Sequence, residues 1–129
     1  MKSHVMRLLP KQDLKKELIA FTQKTKLKAA FVVSCCGSVE SLKLRLADSN
    51  TLLEKFEKFE ILSLQGTLSP DGAHLHMAVA DSQGQTWGGH LIEGCAIYTT
   101  AEILIVELTD VSFSRQKDEK TGFAELVIT

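Results

Sequence analysis

Short apolar segments, most alternating with polar residues and closed by a turn signal, fill this chain, and only one stretch repeats at helical spacing. That pattern predicts a sheet-dominated fold with little helix. The helical stretch follows Asp13, with Leu14, Leu18 and Phe21 at i, i+4 and i+7, and Ile19 and Ala20 widening the stripe. Asp13 suits the cap position, where a carboxylate satisfies free N–H groups at the positive end of the helix. A helix is expected from there to about Lys24 or Thr25. With 129 residues the chain has the size of one domain, taken as residues 1–129, and needs no disulfide or structural metal merely to fold.

Strands are predicted on both sides of that helix. His4–Leu9 stops at Pro10, and Ala29–Cys36 reads as a buried strand closed by a sharp turn at Gly37. Leu42, Leu44 and Leu46 alternate with Lys43 and Arg45, and Asp48–Asn50 turns. The charged stretch Glu54–Glu60 fits helix or strand equally. Ile61–Leu68 is a strand ended by Pro70-Asp71-Gly72. Ala73–Asp81 and the return from Gln85 to Leu91 form a hairpin about Ser82-Gln83-Gly84. Tyr98–Leu108 is a further apolar strand, Arg115–Gly122 reads as a loop, and Phe123–Ile128 as a last strand. The expectation is an α+β fold: one mostly antiparallel sheet of six or seven strands packed with one or two helices.

Charge and cysteine use exclude several function classes. Fifteen basic against sixteen acidic residues give a net charge of −1, whereas a DNA-holding surface is ordinarily basic. Direct nucleic-acid binding is therefore not expected. Three cysteines without CxxC spacing make neither a disulfide framework nor a cysteine zinc site. Cys35 and Cys36 read as small buried hydrophobes, because nothing nearby supplies a base for a reactive thiol. No apolar run approaches the ~20 residues that span a bilayer, and the start carries charge where a signal peptide needs an apolar core. A cytoplasmic protein without a membrane anchor is expected.

The chemistry concentrates in the hairpin. His74 and His76 are two apart on a strand and share a face. A three-residue loop with Gly84 left-handed makes Asp81 face Gln85 and sets His76 directly opposite His90. One more loop residue turns His90 to the other side. Three converging imidazoles with an open position are a ligand set for zinc or another divalent transition metal. The same spacing also fits polar residues lining a groove or a subunit contact, and the residues alone leave both open. Gly88-Gly89 allows close approach by another segment. Glu93, Glu102 and Glu107 lie in or near apolar strands, where a carboxylate serves as a general base, a metal partner or a salt bridge at an oligomer contact.

Several separated segments together resemble one family. They are Phe31–Ser38, Phe59–Thr67, His74-Leu75-His76, Gly88–Gly94 and Tyr98–Glu102, in order and spanning Arg7 to Gly122. The chain is similar to the PPC (plants and prokaryotes conserved) domain. The resemblance implies a single antiparallel sheet packed with helices and a homotrimer. It also implies that the HxH and GGH histidines, here His74, His76 and His90, form a cluster able to hold a metal ion. In plants the domain follows an AT-hook that contacts DNA in transcription-related proteins. This sequence carries no such hook, so it resembles the standalone members. The expected function is a homotrimeric assembly or regulatory module whose three-histidine site takes a metal or small ligand, with other proteins as possible partners. The alternative is a metal-dependent hydrolase with Glu93 or Glu102 as its proton acceptor.

Overall fold

The computed structural model describes residues 1–129. Strand β1 (Lys2–Leu8) leads to helix α1 (Leu14–Thr25), followed by β2 (Ala30–Val39), β3 (Leu42–Arg45) and β4 (Leu52–Lys55). Then come β5 (Phe59–Ser69), β6 (Gly72–Ala80), β7 (Thr86–Leu91), β8 (Ile97–Glu107), β9 (Phe113–Lys117) and β10 (Ala124–Ile128). The first eight strands make one sheet in the order β1-β8-β2-β5-β6-β7-β3-β4, and β9 pairs only with β10. Every pairing is antiparallel. No helix is long and apolar enough to cross a membrane.

The helix forms where its cap and stripe place it. The Asp13 carboxylate accepts from the Lys16 N–H at 3.0 Å and, with its other oxygen, from the Gly94 N–H at 2.7 Å. One side chain thus caps α1 and ties it to the segment after β7. Left-handed Lys26 ends the helix. Leu14 and Leu18 are fully buried and pack with sheet residues such as Phe59, Leu64, Leu75, Met77 and Ile103 in one core cluster. Burying a side chain of this size is worth about 1.5–3 kcal/mol. The core is therefore sealed between α1 and one face of the sheet.

The other face is only partly covered. Phe113 of β9 is buried edge-on against Phe31 of β2, with ring centroids 5.6 Å apart. Arg115 of β9 donates from Nη2 to Thr67 Oγ1 of β5 at 2.7 Å. The β9–β10 hairpin therefore rests over the β2–β5 part of this outer face. Val5, Val33 and Leu62 stay 80%, 52% and 56% exposed, the last two at register breaks in β2 and β5.

The structure corrects four expectations. The main sheet has eight strands rather than six or seven and a second sheet adds two more, while the single helix lies within the expected one or two. The extra strands come from Leu52–Lys55, where the charged stretch proves to be strand, and from Phe113–Lys117, read in part as loop. Its two phenylalanines separate: Phe59 is buried in β5 and Phe56 is exposed in the break before it. Cys35 and Cys36, expected to be buried, are half-buried and exposed respectively. Gly37 is not a turn, because β2 runs through it to Val39 with register shifts on the way. What Gly37 permits is close approach: a Cβ there would stand 2.3 Å from the Thr100 carbonyl oxygen and 2.6 Å from Ala101 Cα. Gly37→Ala must push β8 away from β2 and should cost about 1–3 kcal/mol. The expected result is a lower urea midpoint with an unchanged slope; an unchanged midpoint would show that the strands do not meet so closely.

Candidate metal centre

The hairpin turn decides where His90 points. The Asp81 N–H donates to the Gln85 carbonyl, and the Gly84 N–H donates to the Asp81 carbonyl, both at 3.0 Å. Asp81 Oδ1 accepts from the N–H groups of Gln83 and Gln85 at 2.9 Å each. Gly84 has φ +78°, the left-handed conformation that the three-residue loop requires. These bonds close the loop at Ser82-Gln83-Gly84, and the ladder pairs His76 with His90, as the shorter loop predicts.

The three imidazoles lie together on the outer face, while Leu75, Met77 and Leu91 go to the core. One ligand nitrogen from each of His74, His76 and His90 falls within 4.8 Å of the others. His76 Nε2 and His90 Nδ1 are 3.1 Å apart. The His74 and His90 rings are stacked at 14° with centroids 5.6 Å apart, and His76 meets both edge-on. Four-coordinate zinc with bonds of about 2.0–2.1 Å sets its nitrogens roughly 3.3 Å apart. The ligand nitrogens, within 4.8 Å of one another, must draw together to reach that spacing, and three imidazoles are a donor set that fits a zinc-like ion. No carboxylate or thiolate joins the group.

Desolvation, then the charges nearby, lower the pKa of two of these rings, His74 and His90. His74 is held below the ordinary histidine value of 6.5 by desolvation first, then by Arg115 and His76, with Glu125 opposing. His90 is lowered by desolvation, then by Arg45, His76 and His74. Neutral rings keep a lone pair free for a metal.

Two arginines frame the cluster. Arg45 of β3 pairs across the ladder with His90. Gly89 lets β3 come that close, since a Cβ there would stand 2.7 Å from the Arg45 carbonyl oxygen. Arg115 reaches in from β9 and is fixed on Thr67, the ladder partner of His74. Together with His74, His90 and Glu125 they line a cavity of about 620 Å³. Neither arginine stands out in the sequence. The β3–β7 and β5–β9 contacts join strands distant along the chain, and only Gly88-Gly89 hints at a close neighbour.

The carboxylates expected beside the histidines lie elsewhere. Glu93 is exposed with its Oε2 3.7 Å from Lys16 Nζ of α1. Glu102 sits on β8, separated from β6 by β2 and β5, roughly 14 Å away at the usual strand spacing. Glu107 meets His4 at 2.8 Å, near the edge strand β1. The carboxylates that do line the cavity are Asp48, Asp71 and Glu125. At the vicinal cysteines, burial and then Cys36 push the Cys35 thiol up to about 12, which leaves it inert.

The chain is similar to several known proteins. The chain is 54% identical over 123 residues to a "Bifunctional protein GlmU" of Synechococcus sp. (strain JA-3-3Ab), covering 95% of this chain. It spans only about a fifth of the length of that protein. A hypothetical protein from Salmonella enterica superposes with a TM-score of 0.97 at 41% identity, over 99% of this chain and 93% of the other. A protein from Archaeoglobus fulgidus described as metal-containing gives 0.79 at 26% identity, over 98% and 94%. The model of the Plants and Prokaryotes Conserved (PCC) domain, the PPC domain of the sequence motifs, matches residues 1–109, and the chain belongs to that family.

Proposed function

We propose that this chain is a homotrimeric assembly or regulatory module whose outer sheet face holds one divalent transition metal, zinc in the first instance, on His74, His76 and His90. The observation that carries this reading is the meeting of three imidazole nitrogens within 4.8 Å, with no protein anion among them. The similar Archaeoglobus protein described as metal-containing supports it. A bound ion of this kind supplies Lewis acidity and a fixed positive charge. The chain's own part is to converge the rings and to lower the proton affinity of His74 and His90. The trimer rests on the family resemblance and on Val5, Val33 and Leu62, exposed on the outer face and suited to burial against a second copy. A cytoplasmic setting and an indirect relation to DNA, through protein partners, complete the reading. A hydrolase role draws no support from Glu93 or Glu102, since neither stands among the imidazoles.

Untagged protein dialysed against zinc should retain about one equivalent per chain by elemental analysis. His76→Ala and His90→Ala should each lower affinity by about tenfold or more, since ligand loss removes a coordinate bond. Metal content below a small fraction of an equivalent in the parent would overturn the metal assignment. Light scattering should report about three times the 14.2 kDa chain mass, and Val33→Glu should shift it downward; a monomeric parent at micromolar concentration would remove the trimer. A pH dependence also follows. The folded-state values of His74 and His90 lie below 6.5, so the unfolded chain binds more protons once pH falls toward and below that value. Stability without metal should thus be full above pH 6.5 and decline as pH drops through the window beneath it. The double variant His74→Gln/His90→Gln should show a flatter profile in urea titrations at pH 7 and pH 5, and an equally steep one would discount these two rings.

A further inference from the structure

A metal held by three neutral imidazoles keeps its full double positive charge, because no protein carboxylate or thiolate shares the site. Arg45 and Arg115 add two further cations around the same cavity. Neither is neutralised: the ion pairs of the chain are His4–Glu107, Lys11–Glu40 and Lys16–Glu93, so no carboxylate lies within 4.0 Å of either guanidinium. Each guanidinium is steadied by one neutral acceptor. Arg45 Nη1 donates to the Ser49 carbonyl at 3.2 Å, and Arg115 Nη2 donates to Thr67 Oγ1 at 2.7 Å. A guanidinium has five N–H donors in a planar fork, so most of that capacity is left over.

Three acids share the cavity, Asp48, Asp71 and Glu125, and two of them are hydrogen-bonded elsewhere. Asp71 Oδ2 accepts from the backbone N–H of Arg115 at 2.8 Å, and Glu125 Oε1 accepts from the Thr121 hydroxyl at 2.9 Å. Asp71 therefore positions β9 while leaving the Arg115 guanidinium free. Phe123 and Ala73 add apolar wall, and a volume of about 620 Å³ suits a small molecule.

We propose that the loaded site takes a small carboxylate-bearing molecule: one carboxylate oxygen occupies the remaining position on the metal, and the forks of Arg45 and Arg115 grip the remaining oxygens. This rests on the histidines holding a metal and adds the class of ligand. The geometry favours an anion over a neutral molecule for a simple reason. The metal and two guanidinium groups, neither of them ion-paired with Asp48, Asp71 or Glu125, face one cavity, and paired charge-assisted hydrogen bonds to a carboxylate are what a fixed guanidinium makes best.

The test uses the full chain loaded with cobalt(II), whose visible absorption reports the ligands around the ion. Malonate is titrated at constant ionic strength, with malonamide as the uncharged counterpart. Malonate should change the spectrum saturably and malonamide should not. Arg115→Met and Arg45→Met should each raise the apparent Kd for malonate by about tenfold, the scale of a lost charge-assisted contact, with cobalt content unchanged. The unchanged content shows that each variant still folds, and two variants on different strands guard against failure of one. Equal malonate affinity in the parent and both variants, or equal effects of malonate and malonamide, would overturn the proposal while leaving the metal reading intact. A parent protein that takes up no cobalt would instead overturn the metal reading, and this proposal with it.

Discussion

The Asp81 turn is the constraint on which the rest of the site depends. Its carboxylate collects the N–H groups of Gln83 and Gln85, and its backbone closes the ladder on Gln85 and Gly84. A strand has a side-chain period of two, so one residue more in this loop would exchange the faces of β7. His90 would enter the core and Leu91 would leave it. With the loop at three residues, His90 faces outward opposite His76, and Leu91 completes the core. Apolar burial and imidazole convergence are thus fixed by one event, and each opposes a slip of the other. Gly89 transmits that register to β3, which brings Arg45 beside His90.

The two faces of the sheet are under different demands. The inner face, sealed by α1, contains aliphatic and aromatic side chains in one continuous cluster. The outer face carries the histidines, the arginines and several uncovered aliphatic residues. The β9–β10 hairpin anchors on it through Phe113 against Phe31 and Arg115 on Thr67. This placement gives the site its electrostatics, because guanidinium groups from two directions raise the cost of protonating His74 and His90. The result is a cavity in which two guanidinium groups face the imidazoles alongside the carboxylates of Asp48, Asp71 and Glu125.

Family membership sets this geometry in a wider frame. The relative in Synechococcus carries the matching stretch within a chain about five times as long. The Salmonella and Archaeoglobus structures match over nearly their whole length. The same fold therefore occurs both within a much longer chain and making up nearly all of a solved one.

Local signals alone determined much of this protein. The helix at Asp13–Thr25, the hairpin at 73–91 and the shared face of His74 and His76 follow from periodicity, a cap and a short loop, all set by neighbours in sequence. The meeting of His76 and His90 was legible because a tight hairpin is itself a local structure. Gly37 was misread as a turn because glycine marks both a bend and a close approach, and only β8 packed against β2 tells which. Glu102 looked as eligible as any carboxylate until the strand order put β5 and β2 between it and the histidines. Arg45, Arg115 and Glu125 reach the site through pairings between distant strands, and no local pattern encodes those. Tertiary structure decided them, since which strands become neighbours depends on burying the whole core at once.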